Sequence, residues 1–399
     1  MKKTIKYITF IILSMSLTSC LEPFDVDIYT SKGYLLIDGT ITNLVEQQYI
    51  SIAQTDPDVK YTSSEFTSQI NPPKKSSIPL TKATVKLVVN GSESIALTEA
   101  EPGLYVLPSN FRAKVGEVYK LSILTLDGRN YESSDEKMLP VPPIKKVTET
   151  FNSKGIPRRS IYGDDTPTND LYVDFDDPEG EKNFYRWRWY DYETIKICES
   201  CVRGRYYQYE TEKGLTGSCF RDITIDPNEI YDYTCQDVCW EIFPSTDILI
   251  SSDIYTNGQS QTAKLVAQVP LYQTNACLVN IQQLSISANA YRYYKLLQDQ
   301  SVSTGTLADT PPAPIRSNVY NVNDKTELVL GYFTASAVYQ EPTMVYRKNV
   351  IGGEFDSIFR FINNRDVQVE PRTFERGKKP DALCIPSRTR TPNFPYGWK

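Results

Sequence analysis

The 399-residue chain contains no histidine. A Ser–His–Asp or Cys–His catalytic arrangement is therefore impossible within it. The usual imidazole metal ligands are missing, and so is the simplest switch at physiological pH. Carboxylate-pair hydrolysis needs no histidine, but no motif points to such a pair. Basic excess is also lacking: 43 Lys and Arg stand against 49 Asp and Glu. Nucleic-acid binding calls for clustered positive charge, so no nucleic-acid partner is expected. The apolar run from Tyr7 to Leu17 is too short to cross a bilayer as a mature helix. The expectation is a non-enzyme with no cofactor and no metal.

What the chain does have begins at its start. Lys2, Lys3 and Lys6 form a basic opening, and Leu17-Thr18-Ser19-Cys20 follows the apolar run. A basic segment, a short apolar core and small residues before a cut mark an export signal over residues 1–19. A cysteine directly after the small residues resembles the bacterial lipobox, in which that cysteine is acylated and becomes the new first residue. Cys20 is the expected lipidation site, carrying palmitate, and residues 20–33 are the expected tether to the membrane. The plainer alternative is an ordinary signal peptide with a chance cysteine. Glu22, Asp25 and Asp27 lie just beyond Cys20. Acids near a lipidated cysteine resemble a signal for surface display in one group of outer-membrane bacteria; otherwise they solvate a linker. Without residues 1–19 the chain keeps 40 basic and 49 acidic residues, a mildly acidic body.

Two domains are the default at this length. The 28 tyrosines, 15 phenylalanines and 25 prolines favour a mainly β body with frequent turns. Short alternating runs predict an N-terminal Ig-like or transthyretin-like β-sandwich over residues 34–140. Residues 34–41, 49–53, 83–89, 103–107 and 118–124 are its strands, with Gly39 marking a bulge. Asn90-Gly91 and Asp127-Gly128 are hairpin signals. Residues 56–75 read as a long loop. Leu139-Pro140-Val141-Pro142-Pro143-Ile144 is an extended boundary, leaving 141–399 as a larger β-rich domain with one or two helices.

Within it, Asn183 to Tyr192 alternates so that Tyr185, Trp187 and Trp189 share one face and Arg186, Arg188 and Tyr190 the other. The second trio is the candidate ligand-facing set; the favoured alternative is a solvent face over an aromatic core. The acids from Asp174 to Glu181 invite a calcium reading, but their spacing does not match a helix–loop–helix calcium loop, and a plain acidic turn is favoured. Seven cysteines remain after Cys20: Cys198, Cys201, Cys219, Cys235, Cys239, Cys277 and Cys384. In an exported chain they are candidate disulfide partners, and an odd number leaves one free or paired elsewhere. Zinc bound by four thiolates and a thioredoxin-type redox pair are the competing readings, both disfavoured. A helix is predicted over 287–300, with Ser287 as its N-cap and Ala290, Tyr294 and Leu297 on one face. Residues 326–337 return as a strand. In the tail from Arg372 to Lys399, Cys384 and Trp398 are the expected anchors.

Several stretches together resemble one family. These are Ser287 to Gln300, Thr310-Pro311-Pro312-Ala313-Pro314-Ile315-Arg316-Ser317-Asn318-Val319-Tyr320-Asn321, and Val329 to Ser336. Cys20, Leu36 to Ile41, Gly103-Leu104-Tyr105, and Asp177-Pro178-Glu179-Gly180 before Asn183-Phe184-Tyr185-Arg186 agree with them. The order is similar to that of the domain-of-unknown-function 4249 lipoproteins. The likeness departs near the C-terminus, where a second cysteine close to Cys384 is absent. The resemblance implies an outer-membrane lipoprotein of Bacteroidota, commonly encoded beside a SusC-like TonB-dependent transporter, with no known catalytic residues and no established ligand. A binding or accessory subunit of such a transporter is the expectation, held by lipid at the cell surface or the periplasmic face. A freestanding adhesion or interaction lipoprotein is the alternative.

Overall fold

The computed structural model describes residues 33–56, 77–157, 165–180, 182–195, 204–211, 214–221, 239–301, 315–348, 350, 384 and 386–398. The expected signal, Cys20, most of the 56–75 loop, Cys198, Cys201 and Cys235 lie outside these residues, and of Cys219 only the backbone is included. Among the described residues no helix is long and apolar enough to cross a membrane. The protein is mainly β, with one helix among the described residues.

Two six-stranded sheets form the first sandwich. One runs in the order Val329–Ser336, Leu35–Thr42, Tyr49–Thr55, Leu104–Val106, Thr98–Glu101, with Ser77–Pro79 beside Tyr49–Thr55. The other runs Val319–Asn321, Asn130–Ser133, Val118–Leu124, Thr84–Val89, Glu93–Ala96, with Glu136–Lys137 beside Val118–Leu124. The predicted alternation is what closes them. Val85, Leu87 and Val89 point inward while Thr84 and Lys86 point out. They meet Ile37, Ile50, Ile52 and Tyr105 from the facing sheet in one apolar core. Asn90 and Gly91 both take positive φ, at 50° and 71°, the turn whose twist matches paired strands.

Two expectations need correction here. The first sandwich is not confined to residues 34–140. Val329–Ser336 lies parallel to Leu35–Thr42, and Val319–Asn321 pairs with Asn130–Ser133. Val319, Val329, Phe333, Ala335 and Ala337 join the same core. A parallel neighbour must come from far along the chain, and here it covers what would be an open sheet edge. Nor does Gly39 mark a bulge: its register with Ile50 is regular. It is small because a Cβ would stand 2.2 Å from the Ile50 side chain. Gly331, at φ 83°, is held more tightly still, since a Cβ there would meet the Ile37 carbonyl oxygen at 2.0 Å.

The second sandwich packs a three-stranded sheet (Ile144–Ile156, Thr166–Asp176, Ser260–Pro270) on a six-stranded one. The larger sheet runs Val338–Val345, Cys277–Ser285, Phe184–Ile195, Cys239–Pro244, Arg390–Thr391, with Leu249–Ser252 also on Phe184–Ile195. Leu171, Val173 and Phe175 from one sheet meet Tyr185, Trp187 and Trp189 from the other. The proline-rich boundary is strapped down: Ser285 Oγ donates to the Leu139 carbonyl at 2.6 Å and Gln283 Nε2 to that of Pro142 at 2.9 Å. Gly204–Thr211 and Gly214–Arg221 form a separate antiparallel hairpin.

The helix Ala288–Ser301 begins where Ser287 Oγ accepts the Ala290 amide at 3.2 Å, as an N-cap should. It bridges the two sandwiches. Ala290, Tyr293 and Tyr294 pack on Tyr332 of the first and against Phe184 and Ile250 of the second.

Cys239 and Cys384 form a disulfide, which removes Cys239 from any zinc tetrathiolate. Cys277, counted among the disulfide candidates, is instead a buried free thiol. Its place is deep in the core strand Cys277–Ser285, where no described cysteine reaches it. The tail docks as expected through Cys384 and Trp398, whose ring lies edge-on to Trp240 at 5.6 Å. Phe394 adds a second ring at 4.7 Å, and Arg390 Nε donates to buried Glu241 Oε2 at 2.8 Å.

Candidate functional site

The strand Phe184–Ile195 alternates without a break between buried and half-buried residues. Its core face fixes its other face, because side chains of period two must emerge on the opposite side. Phe184, Arg186, Arg188, Tyr190 and Tyr192 therefore point away from the aromatic core. The expected trio does share this face, but the favoured solvent-face reading does not hold. The helix and the first sandwich stand over it. The Phe184 ring lies 5.0 Å from Tyr291, and the Arg186 guanidinium lies 4.2 Å from the centre of the Tyr294 ring. Arg188 Nε donates to Gln282 Oε1 at 2.5 Å, its Nη2 approaches Glu46 Oε1 at 3.8 Å, and its guanidinium lies 5.7 Å from the Tyr190 ring.

The opposing wall is the outer face of Leu35–Thr42. Asp38 stands there, beside Tyr332 in the parallel ladder and Ser51 in the antiparallel one. Its side chain is open to water. Burial nevertheless raises its carboxyl above the usual range, and Arg186 and Arg188 oppose that rise. Asp38 shares its face with Tyr332, whose ring lies 6.3 Å from that of Tyr294 beneath Arg186, so it borders a recess between the two walls. Glu46, Tyr49 and Tyr192 share the upward shift of Asp38. Burial is the main cause of each upward shift, with Arg188 opposing it at Glu46 and Tyr49, and Tyr190 adding to it at Tyr49 and Tyr192. Deeper in, the Tyr293 hydroxyl is pushed up to about 12, chiefly by burial.

Arg186 is the unusual member. It donates no hydrogen bond among the described residues, and its Nε is sealed from water without an acceptor. One flat face is covered by Tyr294, which leaves Nη1 and Nη2 as the available chemistry. Asp38, across the recess, is electrostatically coupled to it without forming an ion pair.

A second cluster lies inside the core of the second sandwich. Ligand atoms of Asp191, Glu193 and Cys277 fall within 4.8 Å of one another, close enough to surround a cation. The donor set does not fit one. Arg347 already lays Nη2 on Glu193 Oε1 at 2.5 Å and Nη1 on Oε2 at 3.1 Å, while Gln273 donates to Oε2 at 2.7 Å. The positive charge is supplied by the guanidinium. Burial first, and then Glu193, raise the Asp191 carboxyl well above its usual range; neither of its oxygens meets hydrogen-bond geometry. Burial likewise raises the Cys277 thiol. Burial favours the protonated forms of Asp191 and Cys277, which lie beside one ion pair.

The acidic turn spends its carboxylates on protein donors. Asp174 accepts the Ala263 amide at 2.8 Å, Asp176 the Ser260 hydroxyl at 2.7 Å, and Asp177 the Tyr185 hydroxyl at 2.5 Å. Glu181 lies outside the described residues. Two shallow hollows of about 370 and 390 Å³ share no residue with the recess. They carry no converging chemistry, so the charged recess is the better candidate.

Arg186, Arg188 and Tyr190 were visible in the sequence, and Tyr192 continues the same alternation. Asp38, Glu46, Tyr49 and Tyr294 were not marked by any local pattern. They reach the site from other strands and from the helix.

Comparison with curated proteins and with solved structures finds no match. One family model does match, over residues 21–341 of the 399, which takes in both walls of the recess and the helix between them. The chain belongs to the family described as domain of unknown function (DUF4249).

Proposed function

We propose that this chain is an outer-membrane lipoprotein that acts as a non-catalytic binding subunit, serving a TonB-dependent transporter of the SusC-like kind. The observation that carries the binding role is the recess, where Asp38 faces Arg186 and Arg188 between tyrosines 49, 190 and 192. Ligand sites combine such rigid aromatic area with a few placed polar groups. The lipobox-like Leu17-Thr18-Ser19-Cys20 supports a lipid anchor at Cys20 and a place at the cell surface. The absence of histidine supports a role without catalysis.

The test is a pull-down from the native host. The chain is tagged at its C-terminus, the outer membrane is solubilised gently, and the recovered proteins are identified by mass spectrometry. A stoichiometric TonB-dependent barrel is the expected result. Recovery of the lipoprotein alone at several detergent strengths overturns the transporter role and favours a freestanding adhesion lipoprotein. Hydrolysis of a glycan panel by the purified chain overturns the non-catalytic part.

A further inference from the structure

The recess presents two opposite charges that face each other and are not joined. Arg186 makes no hydrogen bond among the described residues, and Asp38 accepts none. Arg188, by contrast, is held by Gln282 and Glu46. The Nε of this half-buried guanidinium is sealed from water without an acceptor, which is costly, while Nη1 and Nη2 stay within reach of solvent. Asp38 is open to water and carries no such cost, but no protein donor pairs with its charge. The two residues sit on different sandwiches. Tyr294 covers one face of Arg186 and leaves the Nη1–Nη2 end, which can take a carboxylate two-toothed. Tyr49, at 45 % exposure, is close enough to Asp38 to feel its charge and adds an exposed ring to the same wall.

We propose that the recess binds a small zwitterion, a free amino acid or short peptide. Its carboxylate sits on Arg186, and its ammonium sits on Asp38 against the tyrosines. This deepens the binding role proposed above and rests on it. One molecule with both charges pairs with both residues, whereas an anion alone would face Asp38 and a cation alone would face Arg186. A neutral sugar would meet the hydroxyls but leave both charges unmatched.

The experiment is calorimetric titration of the purified full chain with alanine, dialanine and trialanine. N-acetylated and C-amidated forms of each serve as the single-charge controls. At least one free-ended member is expected to bind, with each blocking group weakening it about tenfold or more. Arg186→Gln is expected to abolish the preference for a free carboxylate, and Asp38→Asn the preference for a free amine. Arg186→Lys keeps the charge without the fork and reports on folding beside thermal melts of each variant. Equal binding of free and doubly blocked forms overturns the assignment, as does no binding of any member at millimolar concentration. A co-purifying barrel with no zwitterion binding sinks only the ligand. Zwitterion binding with no barrel sinks only the transporter role.

Discussion

Arg347 lays both ends of its guanidinium on Glu193, with Nη2 at 2.5 Å from Oε1 and Nη1 at 3.1 Å from Oε2, and both side chains are sealed from water. Nη1 also donates to the Gln273 and Asn275 carbonyls, at 2.8 and 2.9 Å. Removing one partner of such a pair leaves an uncompensated buried charge. Arg347→Met is expected to cost about 3–5 kcal/mol, whereas Arg347→Met with Glu193→Met recovers a large part. Urea midpoints of the two variants measure this. A single variant as stable as the parent would show that the pair does not matter.

Glu136 sits where the sandwiches meet the helix. Its Oε1 accepts from Asn318 and Tyr332, both at 3.3 Å, and its Oε2 is buried without a partner. Burial pushes its carboxyl up to about 7, against opposing hydrogen bonds from Ser287, Tyr332 and Asn318. A folded state that holds its proton more tightly than the unfolded chain loses stability as pH rises from about 4.5 to about 7. The loss is complete above that range and amounts to about 3 kcal/mol. Glu136→Gln keeps one acceptor and is expected to gain up to that much at pH 8 and nothing at pH 4. Denaturation of both proteins across pH checks the sign. Asp191, raised in the same direction, acts in both proteins alike and cancels from the comparison.

A fragment ending at residue 140 is expected not to fold. It lacks Val329–Ser336, whose Phe333 is fully buried in the first core, and leaves the edge of Leu35–Thr42 unpaired. Dispersed amide resonances from residues 34–140 alone would refute this.

The Cys239–Cys384 bridge closes a sequence separation of 145 residues and holds the tail beside Trp240. Replacing both cysteines by serine is expected to cost about 4–5 kcal/mol on the chain-entropy account. Limited proteolysis is expected to cut first within residues 386–398. Unchanged cleavage would mean that Trp398, Phe394 and Arg390 suffice to dock the tail.

The sequence by itself determined what rests on local periodicity and local chemistry. The strict alternation of Phe184 to Tyr192 placed Trp187 in the core and Arg186 opposite it, because a strand cannot do otherwise. Ser287 announced the helix start, and Asn90-Gly91 announced its turn. The missing histidine closed off whole classes of catalysis before any coordinate was known. Only the tertiary structure decided which distant elements meet. Val329–Ser336 beside Leu35–Thr42, Arg347 on Glu193 at a separation of 154 residues, and Cys384 with Cys239 are all long-range pairings. Asp38 facing Arg186 belongs with them. No repeat of two or 3.6 residues encodes such meetings. They follow from the order of strands in the sheets and from where the helix lodges between the sandwiches, and that order is set by the free energy of the whole core rather than by any one stretch of it.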